Sequence, residues 1–337
     1  MITLFNTQLL DTSMNSATLA NTVGANGQIS YDYEEGKIYV HDGFGNLFSN
    51  TVSEPYTFQG SVSGYTSGGL PGPVNTVDKF PFSTDGNATD VGDLTVSRDT
   101  LTGQSSKTSG YSSGGGGPLG AYSTIDKFPF STDGNATDVG DLTVARTSGA
   151  SGQSSSISGY VSGNTTTIDK FPFAVDSNAT DVGDLSDGRS SLAGQSSSTN
   201  GYASGGAPEN PTIDKFPFST DSNATDVGDL TQGRRIVSGQ SSSTHGYTSG
   251  GRDTVTNALD TIDKFPFSTD SNAADVGNLT VGRYALSGQS SKTSGYASGG
   301  RSPASNVIDK FSFTSDANAT DVGDLTQARY NAAGQQT

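Results

Sequence analysis

From about residue 56 onward the chain is built of short apolar–polar alternations, each bounded by Gly, Ser, Asp or Asn. The run Ile125-Asp126-Lys127-Phe128-Pro129-Phe130 is representative. A period of two sends Ile125 to one side and Phe128 and Phe130 to the other. Apolar groups on both sides of a strand imply a sheet covered on both faces. No segment carries the 3.6-residue periodicity of a helix, and the short runs bounded by turn residues read as strands.

The alternations repeat. IDKFPFSTDGNATDVGDL, Ile125 to Leu142, returns as IDKFPFSTDSNATDVGDL, Ile213 to Leu230. D-K-F begins at Asp78, Asp126, Asp169, Asp214, Asp263 and Asp309, at spacings of 48, 43, 45, 49 and 46 residues. A Gly-Tyr pair precedes each copy, at Tyr65, Tyr111, Tyr160, Tyr202, Tyr247 and Tyr296. An arginine follows each, at Arg98, Arg146, Arg189, Arg234, Arg283 and Arg329. A period in this range is that of β-propeller blades. Each unit holds four short strands, of the types GQSSS, GYxS, IDKFPF and TDVGDL. The first is almost all small residues, which suits the crowded innermost position of a blade. The proline of KFPF, at Pro81, Pro129, Pro172, Pro217 and Pro266, predicts a bulge or an early strand end, because it cannot donate to a ladder. Ser312 replaces it in the sixth copy. The fold class is therefore all-β: a six-bladed propeller over 56–337, preceded by a small hairpin module over 1–55. NAAGQQT at the end of the chain and YTFQGSVSGYTSGG near residue 60 both resemble the opening of a unit. This predicts ring closure within one blade built from both segments, without saying which strand each supplies.

Composition narrows the picture. Only 31% of the 337 residues are apolar and the net charge is −16. The 16 Phe and 13 Tyr recur at regular places, which separates the chain from disordered sequences. It contains no Cys, which excludes disulfides, thiolate metal sites and a cysteine nucleophile. The pI near 4.3 argues against a nucleic-acid partner, whose footprint would be basic. There is no apolar run long enough for a membrane span. The opening MITLFNTQLLDTS lacks the basic start of a signal peptide.

The fixed and variable parts point to different roles. From the Asp of D-K-F to the Arg is 20 residues in every copy. From the Gly-Tyr tyrosine to that Asp the separation runs 13, 15, 9, 12, 16 and 13. Length variation therefore collects in one loop per blade, and strand alternation puts those loops on the same face as the connections between blades. Loops on a rigid scaffold carry function. Leu119, Tyr122, Glu209, Asn210, Arg252, Asp253 and Arg301 are the residues these loops add, and they are the candidate ligand-binding set. Groups present six times read as structural: Arg98, Arg146, Arg189, Arg234, Arg283 and Arg329 are expected to be buried and paired with a carboxylate or with loop carbonyls of their own or the next blade. No catalytic constellation, cofactor or metal is expected. His41 and His245 stand in unlike contexts, and Gly114–Gly117 runs into Pro118 rather than into a helix. DSNATDVGDL places Asp221, Asn223, Thr225 and Asp229 with the spacing of a calcium loop. The same residues also suit a plain turn, and the fifth copy replaces two of these positions with Ala274 and Asn278.

A double glycine after a strand (Gly205-Gly206, Gly250-Gly251, Gly299-Gly300), then an aromatic strand, a turn and an arginine, resembles a kelch-type β-propeller over roughly 56–337. The resemblance puts Val91 and its equivalents where kelch units carry Trp. The pair is incomplete at Gly163-Asn164. The segment GQISYDYEEGKIYVHDG reads as a hairpin turning at Glu34-Glu35-Gly36, and is similar to a module near the start of bacteriophage tail-fibre proteins. Together the two parts resemble virion proteins of marine phages. That resemblance implies a non-enzymatic virion surface protein, made in the host cytoplasm. Residues 1–55 would attach to other virion proteins and support a homo-oligomer. The propeller would bind a host-surface glycan or protein. A capsid decoration protein and a non-viral scaffold propeller are the alternatives.

Overall fold

A computed structural model of the protein describes residues 58–254 and 258–337, together with the backbone of four strands ahead of them. The chain divides into two units, Met1–Tyr56 and Thr57–Thr337. In the first unit the strands Ile29–Asp32 and Lys37–His41 pair as an antiparallel hairpin, as the alternation there predicts. Leu47–Thr51 extends that hairpin on one side, and Ser13–Met14 joins on the other in parallel.

The second unit is a six-bladed propeller. Blade 3 shows the plan: Ser151–Ser154, Ser158–Ser162, Thr167–Pro172 and Thr180–Asp184 pair in sequence order, all antiparallel, from the axis outward. The third strand ends at its proline, opposite Ser158, as expected of a residue with no amide hydrogen. The bulge lies earlier, between Ile168 and Asp169. Blade 2 departs from the plan by lengthening its third and outer strands to Gly120–Pro129 and Thr137–Arg146 and adding a short hairpin arm at Gly116–Gly117. Blade 1 takes its innermost strand, Ala333–Gln336, from the far end of the chain and its other three from Ser63–Ser67, Thr76–Pro81 and Thr89–Asp93. The segment at Phe58–Gly60, which also resembles a unit opening, is not a blade strand. Gly60 instead bridges Ser291 of blade 6.

The core lies between blades. Tyr160, Ile168, Leu185 and Leu192 of blade 3 and the connection after it pack against Ala203, Phe216 and Ala224 of blade 4. Tyr160 stacks on Phe218 at 4.9 Å and tilts against Phe216 at 5.5 Å. The alternation works as anticipated: Ile125 faces blade 3, while Phe128 and Phe130 face blade 1. Val91 is half-buried against the cluster joining blades 1 and 2. Each buried aromatic or aliphatic side chain contributes roughly 1.5–3 kcal/mol, so every interface is a sizeable apolar layer despite the polar composition.

At the axis the small residues of the inner strands are required by space. A Cβ on Gly194 would meet the carbonyl oxygen of Gly152 in the preceding blade, and the same holds at Gly103, Gly152, Gly239, Gly288 and Gly334 around the ring. One position on, a buried glutamine crosses to the next blade. Gln153 Nε2 donates to Tyr202 O at 2.9 Å, and Gln335 Nε2 to Tyr111 O at 2.9 Å.

The repeated charged residues are inter-blade bonds. Each repeat arginine meets the D-K-F aspartate of the following blade, never its own: Arg98–Asp126, Arg146–Asp169, Arg189–Asp214, Arg234–Asp263, Arg283–Asp309 and Arg329–Asp78. All twelve side chains are buried, at 0–4% exposure. The aspartate also accepts from a hydroxyl and an amide of the preceding blade, as Asp214 does from Ser186 Oγ at 2.6 Å and Ser186 N at 3.1 Å. Burial pushes the guanidinium pKa down at Arg98, Arg189, Arg234, Arg283 and Arg329, and the facing carboxylate works against that shift. A second, exposed row links each D-K-F lysine to the next blade's turn, as in Lys170–Asp221 at 2.8 Å.

Candidate functional site

The two faces of the ring are built differently. On one face lie the tight turns between first and second strands, each closed by a serine hydroxyl. Ser155 Oγ, for example, accepts from Ser158 N at 3.0 Å. The chain enters the propeller on this face and crosses the axis there: Gln59 Nε2 donates to Ser241 O at 3.0 Å, Gly60 N to Ser290 O at 2.8 Å, and Gln336 Nε2 to Phe58 O at 3.0 Å.

The other face carries the variable loops together with the connections between blades, as strand alternation anticipated. The residue after five of the six repeat arginines forms a backbone bridge to the next blade's loop. The bridges are Asp99–Gly116, Ser190–Ala207, Arg235–Arg252, Tyr284–Arg301 and Tyr330–Leu70. Two residues after the repeat arginine, or three after Arg146, every connection holds a left-handed backbone: Thr100, Gly149, Ser191, Ile236, Ala285 and Asn331, at φ of 56–62°. For Thr and Ile this is a costly conformation that persists only where the surroundings enforce it. Here the enforcement is a circle of amide-to-carbonyl bonds. Thr100 N donates to Asn331 O at 2.8 Å, Asn331 N to Ala285 O at 2.9 Å, Ala285 N to Ile236 O at 3.0 Å, and Ile236 N to Ser191 O at 2.8 Å. Ser191 N continues it to Gly149 O, and Thr100 Oγ1 spans the remaining gap to Thr147 O at 2.8 Å. That gap falls at the connection with one extra residue. The circle rims an axial cavity of about 340 Å³, lined by the inner-strand glycines and by Phe58.

The predicted binding residues fall into two groups. Arg252 and Arg301 come together in adjacent blades. The Arg252 guanidinium lies over the Tyr284 ring at 5.4 Å, and that of Arg301 over the Tyr330 ring at 5.0 Å. Glu209, one blade back, meets Arg235 at 3.3 Å. Asn210 and Asp253 flank this group: Asn210 Oδ1 accepts from Thr212 N at 2.7 Å and shapes its own loop, and Asp253 is half-buried. Leu119 and Tyr122 belong to blade 2, away from these residues. Leu119 is 91% exposed at the tip of the hairpin arm, whereas Tyr122 is half-buried in the sheet opposite Arg146. Loop-length variation does not point to Arg235, Tyr284 and Tyr330. Their signal is in the column directly after the repeat arginine, which reads Asp99, Thr147, Ser190, Arg235, Tyr284, Tyr330.

Two of the possible calcium ligands bond to the preceding blade and the other two belong to their own blade's ladder. Asp221 is held by Lys170, Asn223 Oδ1 accepts from Asp184 N at 3.1 Å, and Thr225 and Asp229 lie in the outer strand paired with Lys215 and Thr212. Among the described residues no group of three or more His, Asp or Glu side chains is placed to hold a metal ion. His245 sits in a turn of the opposite face, 2.9 Å from Thr244 Oγ1, with its pKa lowered chiefly by burial. His41 lies outside the residues whose side chains are described. Among the described residues no helix is long and apolar enough to cross a membrane.

The chain matches no protein-family model, and no curated protein is similar to it.

Proposed function

We propose that the protein is a non-enzymatic display module: a kelch-like propeller that presents its loop face to a glycan or protein on a cell surface. The observation that supports this most is the split between repeated and varied residues. The repeat arginines, the D-K-F aspartates and lysines and the turn asparagines bond from blade to blade, while the loops that vary in length lie on one face. An enzyme would need a single asymmetric set of reacting groups, and a propeller fold by itself selects no activity. The resemblance of both units to marine phage virion proteins makes the virion the proposed location. Residues 1–55 would then attach to other virion proteins, and several copies on one particle would raise avidity without new contacts.

The absence of cysteine gives a direct test. Ala304→Cys puts a single thiol on the loop face, and Ile157→Cys puts one on the opposite face at a side chain 69% exposed. Each is coupled to a bulky polymer, and binding of the purified protein to a panel of bacterial cells is measured. The polymer at 304 should abolish binding and the polymer at 157 should leave it intact. Equal effects from both sites would refute the face assignment. Mass spectrometry of purified virus particles tests the location.

A further inference from the structure

We propose that the crescent of Arg235, Arg252 and Arg301 binds the carboxylate groups of an acidic polysaccharide. This proposal rests on the loop face being the binding face and names its ligand.

The first support is a census of positive charge. Six of the 18 cationic side chains are the buried repeat arginines, each matched to an aspartate. Six more are the D-K-F lysines, each matched to an aspartate of the next blade's turn. Of the six left, Lys37 belongs to the first unit, and Lys107 and Lys292 lie in turns of the face opposite the loops. The three that remain are all arginines, and all stand on the loop face in successive positions around the ring. A molecule of net charge −16 thus gathers its non-repeat arginines in one place. Set against Glu209 and Asp253 beside them, the three arginines leave a local excess of one positive charge, which draws in anions.

The second support is how these side chains are held. Among the described residues neither Arg252 nor Arg301 makes an ion pair, and Arg252 Nε is buried with no hydrogen-bond partner. Each instead rests on a tyrosine ring that the next connection supplies. Stacking fixes the plane of a guanidinium while leaving its N–H fork unspent. A planar fork with unused donors matches a carboxylate, which it can engage with two parallel bonds. Arg235 is partly neutralised by Glu209, which limits the positive charge at that end of the crescent.

The third support concerns the shape of the ligand. The cationic positions are spread over two successive loops and the connection beside the first, so they suit a polymer with a carboxylate on each repeating sugar. A folded protein partner would call for an apolar centre. The large exposed hydrophobic side chains are Val62, Val96, Leu119, Val144, Ile157, Val175 and Val281, and none belongs to the crescent or its bridge partners.

The test measures binding of the purified full chain to immobilised polygalacturonate, with dextran, dextran sulfate and polyglutamate alongside. Polygalacturonate should bind, more weakly as salt rises, and in preference to the other three. Arg252→Gln with Arg301→Gln should lower affinity at least about tenfold. Arg252→Lys with Arg301→Lys, which keeps the charge and loses the fork, should recover only part of it. Lys107→Gln on the opposite face should change nothing. The proposal is overturned if the unmodified chain ignores polygalacturonate, if the double Gln variant binds as well as the parent, or if polyglutamate or dextran sulfate binds as tightly. If cell binding is blocked by polymer at residue 304 while polygalacturonate does not bind, the loop face stands as the binding face and the ligand class falls alone.

Discussion

Arg146→Ala removes one of the buried bonds that repeat around the ring. In the parent, Arg146 Nη2 lies 2.8 Å from Asp169 Oδ2 of the next blade, its other terminal nitrogen donates to Gly163 O, and the pair is 1% and 0% exposed. Truncation leaves Asp169 buried and charged, with only Thr143 N and Thr143 Oγ1 to stabilise it. The loss should be about 3–5 kcal/mol, the usual cost of removing one partner of a buried pair. In a domain this large each kcal/mol moves the thermal midpoint by roughly 2 °C, so the expected drop is about 6–10 °C. Calorimetric melting of Arg146→Ala, Asp169→Asn and the double variant gives the coupling. The double should be clearly less damaged than the sum of the singles, because Asn strands no charge when the arginine is gone. Arg301→Gln, exposed on the loop face, is the control and should melt within about 1 °C of the parent. If Arg146→Ala also melts within that margin, the repeated arginines do not hold the blades together.

Two further outcomes follow from the same framework. Gly194→Ala should destabilise the ring by roughly 1–3 kcal/mol or prevent soluble folding, because its Cβ has only the Gly152 backbone to push against; Gly134→Ala, with nothing within 4 Å, should leave the melting temperature almost unchanged. Burial against neighbouring rings pushes the Tyr65, Tyr202 and Tyr247 hydroxyls up to about 12 from 10.0, so the folded chain holds these protons more tightly than the unfolded one. That stability is fully present below the unfolded value and is lost as pH rises from about 10 to about 12. Phenolate absorbance and unfolding should therefore rise together in that window, and phenolate forming near pH 10 with the fold intact would contradict it.

The blade count was legible because the D-K-F spacing is written openly, and the strand faces were legible because Ile125 and Phe128 differ in parity. Other features depended on geometry that spacing does not encode. The partner of Arg98 was open between its own blade and the next; it is Asp126, because the arginine follows the outer strand, where the chain crosses to the next blade. Ring closure was ambiguous because two segments carry the unit opening. What separates them is the ladder to Ser63–Ser67 that Ala333–Gln336 makes and Phe58–Gly60 does not. On the loop face, length variation pointed to Arg252 and Arg301. Arg235, Tyr284 and Tyr330 escaped notice because their connections hardly vary in length, and only the identity of the side chain changes there.

The way the ring is shut also decides how it would carry a load. Tension applied at Phe58 passes into Ser63–Ser67, which is bonded along one edge to Ala333–Gln336 and along the other to Thr76–Pro81. Those bonds run perpendicular to the strand, so a lengthwise pull loads them side by side in shear rather than opening them one after another. The strand Ala333–Gln336 thus doubles as a mechanical clamp at the point where the chain enters the propeller.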